Sequence, residues 1–323
     1  MKTLRMLTGF LWILVCAQAL AQSDTYPNRP IRLVVPYAPG GVSDITGRIV
    51  AQKMTEILGQ PVVVENRAGA GGMLGTGAVA KAEPDGYTIV LSSLSAYAIG
   101  PRLVKAPLYD PIKDFTAIAP VALSPTILTV TPGLPFQNVK DVITYAKANP
   151  GKLTYGSSGI GSVAHISAEV LRASTGIDLV HVPYKSAAQA YPDVISGSVS
   201  MVFDALPSAI QHIKAGKVRP IAVMSERRAS LVPDVPTFAE AGYPEATLRL
   251  WVGLHGPANL PAPVVQKLSD TAQKVVAAPD VRERFTAVGA DGYFTSAREF
   301  SEMVRGDVER LGKMMATAGI KAE

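Results

Sequence analysis

Short runs of β-forming residues alternate along this chain with segments whose apolar residues recur every three or four positions. Residues 31–35, 61–65 and 87–91 read as three strands. Between the first two lies a helix with Val42, Ile45, Ile49, Met54 and Leu58 on one side, closed by Gly59. A second series follows at 153–156, 179–182, 199–203 and 218–224. Its helix, over 162–175, presents Val163, Ile166, Val170 and Leu171 on one face and stops at Gly176. This alternation predicts an α/β protein whose sheets are rich in parallel strands and flanked by helices.

Two stretches break the alternation. FTAIAPVALSPTILTV (115–130) is extended and interrupted by prolines, and ATLRLWVGLHGP (246–257) is a second extended run. Beyond it the chain is helical again, with Phe300, Met303, Val304, Val308, Leu311, Met314 and Met315 in register. Two extended crossings imply a discontinuous first lobe, 22–123 with 248–323, and an inserted second lobe, 124–247. The 323 residues are enough for two such cores. A cleft that closes about a paired hinge follows from this arrangement.

Residues 1–21 read as a secretory signal. Lys2 and Arg5 precede an apolar stretch from Leu7 to Val15, and Ala19-Leu20-Ala21 supplies the small-x-small cleavage pattern. A lipid anchor on Cys16 is the alternative, though Val15 is bulky for such a site. Cleavage after Ala21 removes the only cysteine, so an exported chain has no disulfide to hold it together. It also lowers the formal charge from +5 to +3, because Lys2 and Arg5 leave with no acidic residue. The remaining basic residues are scattered, the densest run being Arg227-Arg228, which argues against nucleic-acid binding.

The turn from the first strand into the first helix, VVPYAPGGVSD (34–44), is cleared of side chains. In parallel sheets, ligands bind outside the carboxyl ends of the strands, where helix N-termini offer free N–H groups and a favourable dipole for an anion. Gly40 and Gly41 would let a ligand approach the main chain, and Ser43 or Asp44 could cap the helix. The plainer alternative is a tight turn built from proline and glycine. A matching loop, TYGSSGIGSVAH (154–165), offers Gly156, Ser157, Ser158, Gly159, Gly161 and Ser162 before the second helix. Ser92, Ser93 and Ser95 end the third strand, and Asp204 ends a strand of the second series, on the same carboxyl edges. Neither loop contains Lys or Arg, so a compact carboxylate held by dipoles and hydroxyls suits better than a nucleotide. Hydrogen bonds to charged groups contribute about 1.5–3 kcal/mol each, and roughly four would support a micromolar site.

Other chemistries fit poorly. Gly156-x-Ser158 hints at a hydrolase elbow, but Ile160 stands where the next glycine belongs. Gly159-x-Gly161-x-x-Ala164 matches a relaxed dinucleotide fingerprint, yet the strand after it ends in Val182-Pro183-Tyr184-Lys185 without the ribose-binding acid. His165, His181, His212 and His255 show no metal-ligand spacing, and His165 reads as a packed or capping residue. No cofactor and no metal are expected.

With these loops in view, the sequence resembles the Bug family of extracytoplasmic solute receptors, the binding components associated with tripartite tricarboxylate transporters. The resemblance covers essentially the whole mature chain. It rests on VVPYAPGGVSD, GQPVVVENRAGAGGMLG, AEPDGYT, YGSSGIGSVAH, HVPYKS, GKVRPIAVMSERR, VPDVPTFAEAGYP and WVGLHGPANLPAPVV. Ser186 departs from it where a glycine is common, as does a final helix without its frequent tryptophan near Met314. The resemblance implies a two-lobed periplasmic-binding-protein fold, type II-like, with two crossing strands as hinge. It implies a small carboxylated solute held by main-chain amides, hydroxyls and water. By that carry-over Tyr37, Pro39, Gly40 and Gly41 form one clamp, and Ser157, Gly159, Gly161, Ser162 and His165 the other. Ser93 stands on the same edge, and Asp204 lies near the distal end of the ligand. The expected protein is a periplasmic monomer without catalytic activity that hands an organic acid, acidic amino acid or aromatic acid to membrane transporter subunits. A ligand-loaded sensor feeding a signalling partner is the alternative, and a hydrolase or dehydrogenase a more distant one.

The export reading makes a mass prediction. Intact-mass analysis of the secreted protein should give a chain starting at Gln22, whereas a lipidated mass beginning at Cys16 would contradict it.

Overall fold

The computed structural model describes residues 26–39, 42–157, 159, 162–184, 187–317 and 320. The export segment, Gly40, Gly41, Ser158, Gly161, Lys185 and Ser186 therefore lie outside the described residues. In chain order the elements are β1 (Ile31–Val35), α1 (Val42–Leu58), β2 (Val62–Asn66), α2 (Met73–Ala80), β3 (Thr88–Ser93), β4 (Phe115–Leu123) and β5 (Thr126–Val130). There follow α3 (Val139–Ala148), β6 (Thr154–Ser157), α4 (Val163–Thr175), β7 (Val180–Pro183), α5 (Tyr191–Ser196), β8 (Met201–Ala205), α6 (Leu206–Lys214) and β9 (Arg219–Val223). The chain ends with β10 (Trp251–Pro257), α7 (Ala262–Ala277), α8 (Pro279–Ala287), β11 (Asp291–Gly292) and α9 (Ala297–Thr317).

Two sheets result, in the orders β11-β4-β10-β3-β1-β2 and β7-β6-β8-β5-β9. The stretches at 115–130 and 246–257 are more than connections: β4 and β10 lie inside the first sheet and β5 inside the second. This makes both sheets mixed. β1 pairs in parallel with β2 and β3, and β6 with β7 and β8, as the alternation predicts. β10 is antiparallel to β3 and β4, and β5 to β8 and β9. The physical reason is direction of travel. A strand arriving from the other sheet enters at the carboxyl edge and runs against its neighbours, whereas β4 and β9 leave through that edge, pointing the same way as β1 and β3 or β6 and β8 but antiparallel to the strands beside them. The crossings are tied by main-chain bonds: Ser124 N–H to Leu250 C=O (2.9 Å), Met224 N–H to Thr126 C=O (2.8 Å) and Leu248 N–H to Met224 C=O (3.2 Å).

One face of the first sheet, with Ile31, Leu33, Val35, Ile89 and Leu91, packs on α1, α7 and α8 through Ile49, Met54, Leu268, Val275 and Phe285. The other face carries Val34 and Val90. It lies against Tyr97, Met73 and the apolar stripe of α9, in a core that continues into the second sheet. That stripe is Phe300, Val304, Leu311 and Met315, as the register predicts. α9 also touches α4 of the second sheet. Trp251 is buried where the units meet, edge-on to Phe300 and Tyr97, and its Nε1 donates to Asp307 Oδ2 (3.0 Å).

One helix face differs from the sequence expectation. Ile45 is exposed, and Asp44 and Thr46 are buried in its place. Gly47 marks the reason: a Cβ there would stand 2.7 Å from a methyl of Val35, the last residue of β1. At Gly47 the helix packs directly on the last residue of β1, and in the turn before it the buried position is taken by Asp44, held by Asn66 and Arg48.

His255 in β10 is buried, stacked on Tyr97 at 4.2 Å and close to Phe300, and among the described residues neither ring nitrogen has a hydrogen bond of good geometry. Burial pushes its pKa down to about 3, with a small opposing contribution from the Gly253 main chain. The unfolded chain takes up a proton near pH 6.5 that the folded chain refuses until about pH 3. Stability is therefore lost as pH falls through that window. Urea unfolding of His255→Phe against the parent should show the parent losing about 2 kcal/mol more between neutral pH and pH 5. Parallel stability curves for the two proteins would contradict this.

Candidate functional site

Because strands enter and leave through the carboxyl edges, the carboxyl ends of β1 and β3 face those of β6 and β8 across the crossings. A cavity of about 520 Å³ lies there. Tyr37, Ser43, Met73, Ser93, Leu94, Ser95, Ile99 and Leu103 line one wall, and Ser162, Val163, Ala164, Asp204 and Ala205 the other. Ser124, Leu250, Trp251 and Val252 close it at the crossing. The volume suits a small organic molecule. Hydroxyls and apolar side chains make the lining, and among the described residues no Lys or Arg belongs to it.

On the first wall the Tyr37 hydroxyl lies 2.6 Å from Ser93 Oγ, and burial raises its pKa. Asn66 at the end of β2 shapes the turn, its Nδ2 donating to Tyr37 C=O (3.1 Å) and to Asp44 Oδ1 (2.8 Å). Asp44 sits inside the first turn of α1, where Arg48 Nε also donates to its carboxylate (3.0 Å). A negative charge built into the chain thus already occupies this helix start. Pro39 is exposed and outside the lining.

The second wall is built around the start of α4. Ser162 is its N-cap, extended at φ −66° and ψ 158°, and its Oγ accepts from His165 N–H at 3.2 Å. The hydroxyl proton of Ser162 is left to donate elsewhere, and the free N–H groups of the first turn lie beside it. Ser157 ends β6, fully buried, with Oγ 2.5 Å from His181 Nε2 and accepting from Gly159 N–H (3.0 Å). Gly159 has φ +99°, a conformation a side chain would strain. Ser157 and Gly159 therefore brace the loop from behind. His165 packs beneath it, its ring 4.7 Å from that of His181, and both histidines are held below the ordinary imidazole range, chiefly by burial.

Asp204 stands on the wall at the end of β8. Its Oδ1 accepts from Ala205 N–H (2.8 Å), while Oδ2 is buried without a hydrogen bond of good geometry. Burial holds its pKa above the carboxylate range, against Ser208, the Ala205 amide, Tyr191 and His212, which pull it down.

The structure thus brings Tyr37, Ser93, Ser162 and Asp204 together on one cavity, with Ser157, Gly159 and His165 behind it. Gly40, Gly41 and Gly161 fall outside the described residues. Sequence reasoning placed Ser95 on this edge but missed 70–73, Leu94 and 99–103, and the contribution of Ser124 and Leu250–Val252. A signal for the first part was available in AGAGG: Gly69, Ala70, Gly71 and Gly72 all have positive φ (140°, 47°, 65° and 95°), which turns the chain sharply into α2.

Residues 46–320 match the model of the tripartite tricarboxylate transporter family receptor. The chain belongs to that family. Three solved structures show how closely this receptor follows its relatives. Rpa4515 of R. palustris, with adipate, is 33% identical, with a TM-score of 0.76 over 92% of this chain and 100% of that one. The periplasmic binding protein BugD is 34% identical, with a TM-score of 0.72 and the same coverage. MatC (Rpa3494) from Rhodopseudomonas palustris, with bound malate, is 30% identical, with a TM-score of 0.71 over 90% of this chain and 99% of that one. The resemblance to Bug receptors and the two-lobed binding-protein fold therefore stand. The receptor is of a class of periplasmic solute-binding proteins, which are not enzymes. Among the described residues no helix is long and apolar enough to cross a membrane, and no group of three or more His, Cys, Asp or Glu could hold a metal.

The buried carboxyl of the receptor's cavity has a measurable cost. Raised above its unfolded value, the Asp204 pKa makes the folded state relatively more stable at acid pH, and that advantage is lost as pH rises through the folded value. Asp204→Asn should raise the Tm of the ligand-free protein, by more at pH 7.5 than at pH 4.5. Calorimetric scans at both pH values that show an equal shift would contradict the assignment.

Proposed function

We propose that this receptor captures a small carboxylate in the cavity and delivers it to tripartite tricarboxylate-type membrane subunits. The observation that carries this reading is the cavity itself, walled by the carboxyl edges of two sheets, rich in hydroxyls and, among the described residues, without Lys or Arg. A carboxylate there accepts from Ser162, Ser93 or Tyr37 and from the first-turn N–H groups of α4, while Leu94, Ile99, Leu103 and Leu250 receive the hydrocarbon body. Adipate and malate in related structures support the same ligand chemistry. Gly40 and Gly41, by their place in the sequence, would complete the first clamp, with Pro39 in the same turn. Ser157, Gly159, Gly161 and His165 would shape the second. Asp204 would accept from a hydroxyl or ammonium group on the distal part of the ligand.

In this reading residues 22–123 with 248–323 and residues 124–247 are two lobes that close on the ligand about the crossings. The protein is a monomer without catalytic activity, exported by residues 1–21. Thermal-shift screening against mono-, di- and tricarboxylates should find an acid that stabilises it by about 2.7 kcal/mol at 100 times its Kd. Calorimetric titration of Ser93→Ala with that acid should show a roughly tenfold weaker affinity and an unaltered fold. A panel with no saturable binder, or an acid consumed during the titration, would sink the reading.

A further inference from the structure

A second pocket lies on the other side of the crossings, and its chemistry is the reverse of the cavity's. In the first sheet, β10 and β4 separate β3 and β1 from β11; in the second, β5 separates β8 and β6 from β9. The cavity uses the ends of β1, β3 and β8 and the loop after β6. The second pocket, about 440 Å³, uses β11 with α8 and the segment after β9. The crossing strand divides them residue by residue, with Ser124 on the cavity and Leu123 and Pro125 on the second pocket.

Three arginines line this pocket, together with Ser225, Ser230, Thr286 and a single acid, Asp291. Arg228 is neutralised by Glu240 (2.9 Å). Asp291 is occupied by a hydrogen bond from Ser230 Oγ (2.6 Å), which joins the second sheet's segment to the first sheet's edge strand. Arg282 of α8 spends only Nε, on Val276 C=O (3.2 Å), and the Arg227 side chain makes no hydrogen bond or ion pair among the described residues. Among the described residues two guanidinium groups, one from each unit, thus remain without a carboxylate partner. Guanidinium groups recognise planar or tetrahedral oxyanions through paired N–H donors.

We infer that this pocket is a site for a small free oxyanion, a phosphate or a carboxylate, that bridges Arg227 and Arg282 and opposes closure over the cavity. The opposition follows from placement: closing the lobes on one side of a hinge spreads them on the other. A bridge that keeps Arg227 and Arg282 together favours the open cavity, and the coupling is reciprocal. The site stands without the proposed function, whereas the coupling rests on the cavity binding an organic acid.

The test uses the mature protein at constant ionic strength, with inorganic phosphate and citrate as probes. Each should raise Tm saturably in the parent. The rise should be lost in Arg227→Gln, whose side chain holds nothing else in place, and in Arg227→Gln/Arg282→Gln. A non-saturable rise, or an equal rise in the double variant, overturns the site. For the organic acid found to fill the cavity, saturating phosphate should weaken affinity by about fivefold or more in the parent and leave the double variant unaffected. An unchanged affinity in the parent overturns the coupling. Repeating the phosphate titration in Ser93→Ala keeps the readings apart, since a failed cavity leaves the phosphate effect intact.

Discussion

Two crossing strands, tied to each other by main-chain hydrogen bonds, are the constraint from which the rest of this molecule follows. A strand that enters a sheet from a neighbouring unit must run against its parallel members, and this turns the carboxyl edges of both sheets toward the crossing. Every strand-to-helix turn that could hold an anion then faces the same space. The bonds between Ser124 and Leu250 and between Thr126 and Met224 are main chain to main chain. Their survival does not depend on which side chains stand there.

The cavity's chemistry follows from what was kept out of it. A lysine or arginine would hold any anion strongly and would need a partner when the site was empty. Serine hydroxyls and helix N–H groups can turn to water between ligands, so the empty site stores little unpaired charge. Asp204 is the exception, a carboxyl kept partly desolvated, with one oxygen lacking a well-aligned hydrogen bond among the described residues. Asp44 shows the other treatment of an acid, placed in a helix's first turn and matched by Asn66 and Arg48.

Much of this was legible in the residues because the deciding signals were local. The β1, β6 and β8 regions, the stop at Gly176 and the α9 stripe all follow from period and punctuation within a dozen residues. The two loops were legible for the same reason, glycine and serine being conspicuous between a strand and a helix. Sheet order was not, because the antiparallel entry of β5 and β10 depends on which unit the chain has just left. The apolar part of that wall, Met73, Leu94, Ile99 and Leu103, was also hidden, since apolar residues beside a strand read as core and only tertiary folding turns them toward a cavity. Ile45 failed for a related reason: helical period groups residues by side, but Asp44 and Thr46 are the ones buried in the first turn and Ile45 is exposed.

The position of Trp251 makes the molecule self-reporting. Of the two tryptophans in the sequence only this one lies beyond residue 21, so the exported chain would carry a single indole. Its ring borders the cavity, its N–H is bound to Asp307 on α9, and the residue before it supplies the carbonyl that ties the crossings. Emission excited selectively at the indole, past the absorption of the eleven tyrosines, would then register filling of the site and bending of the crossing together, with no label attached.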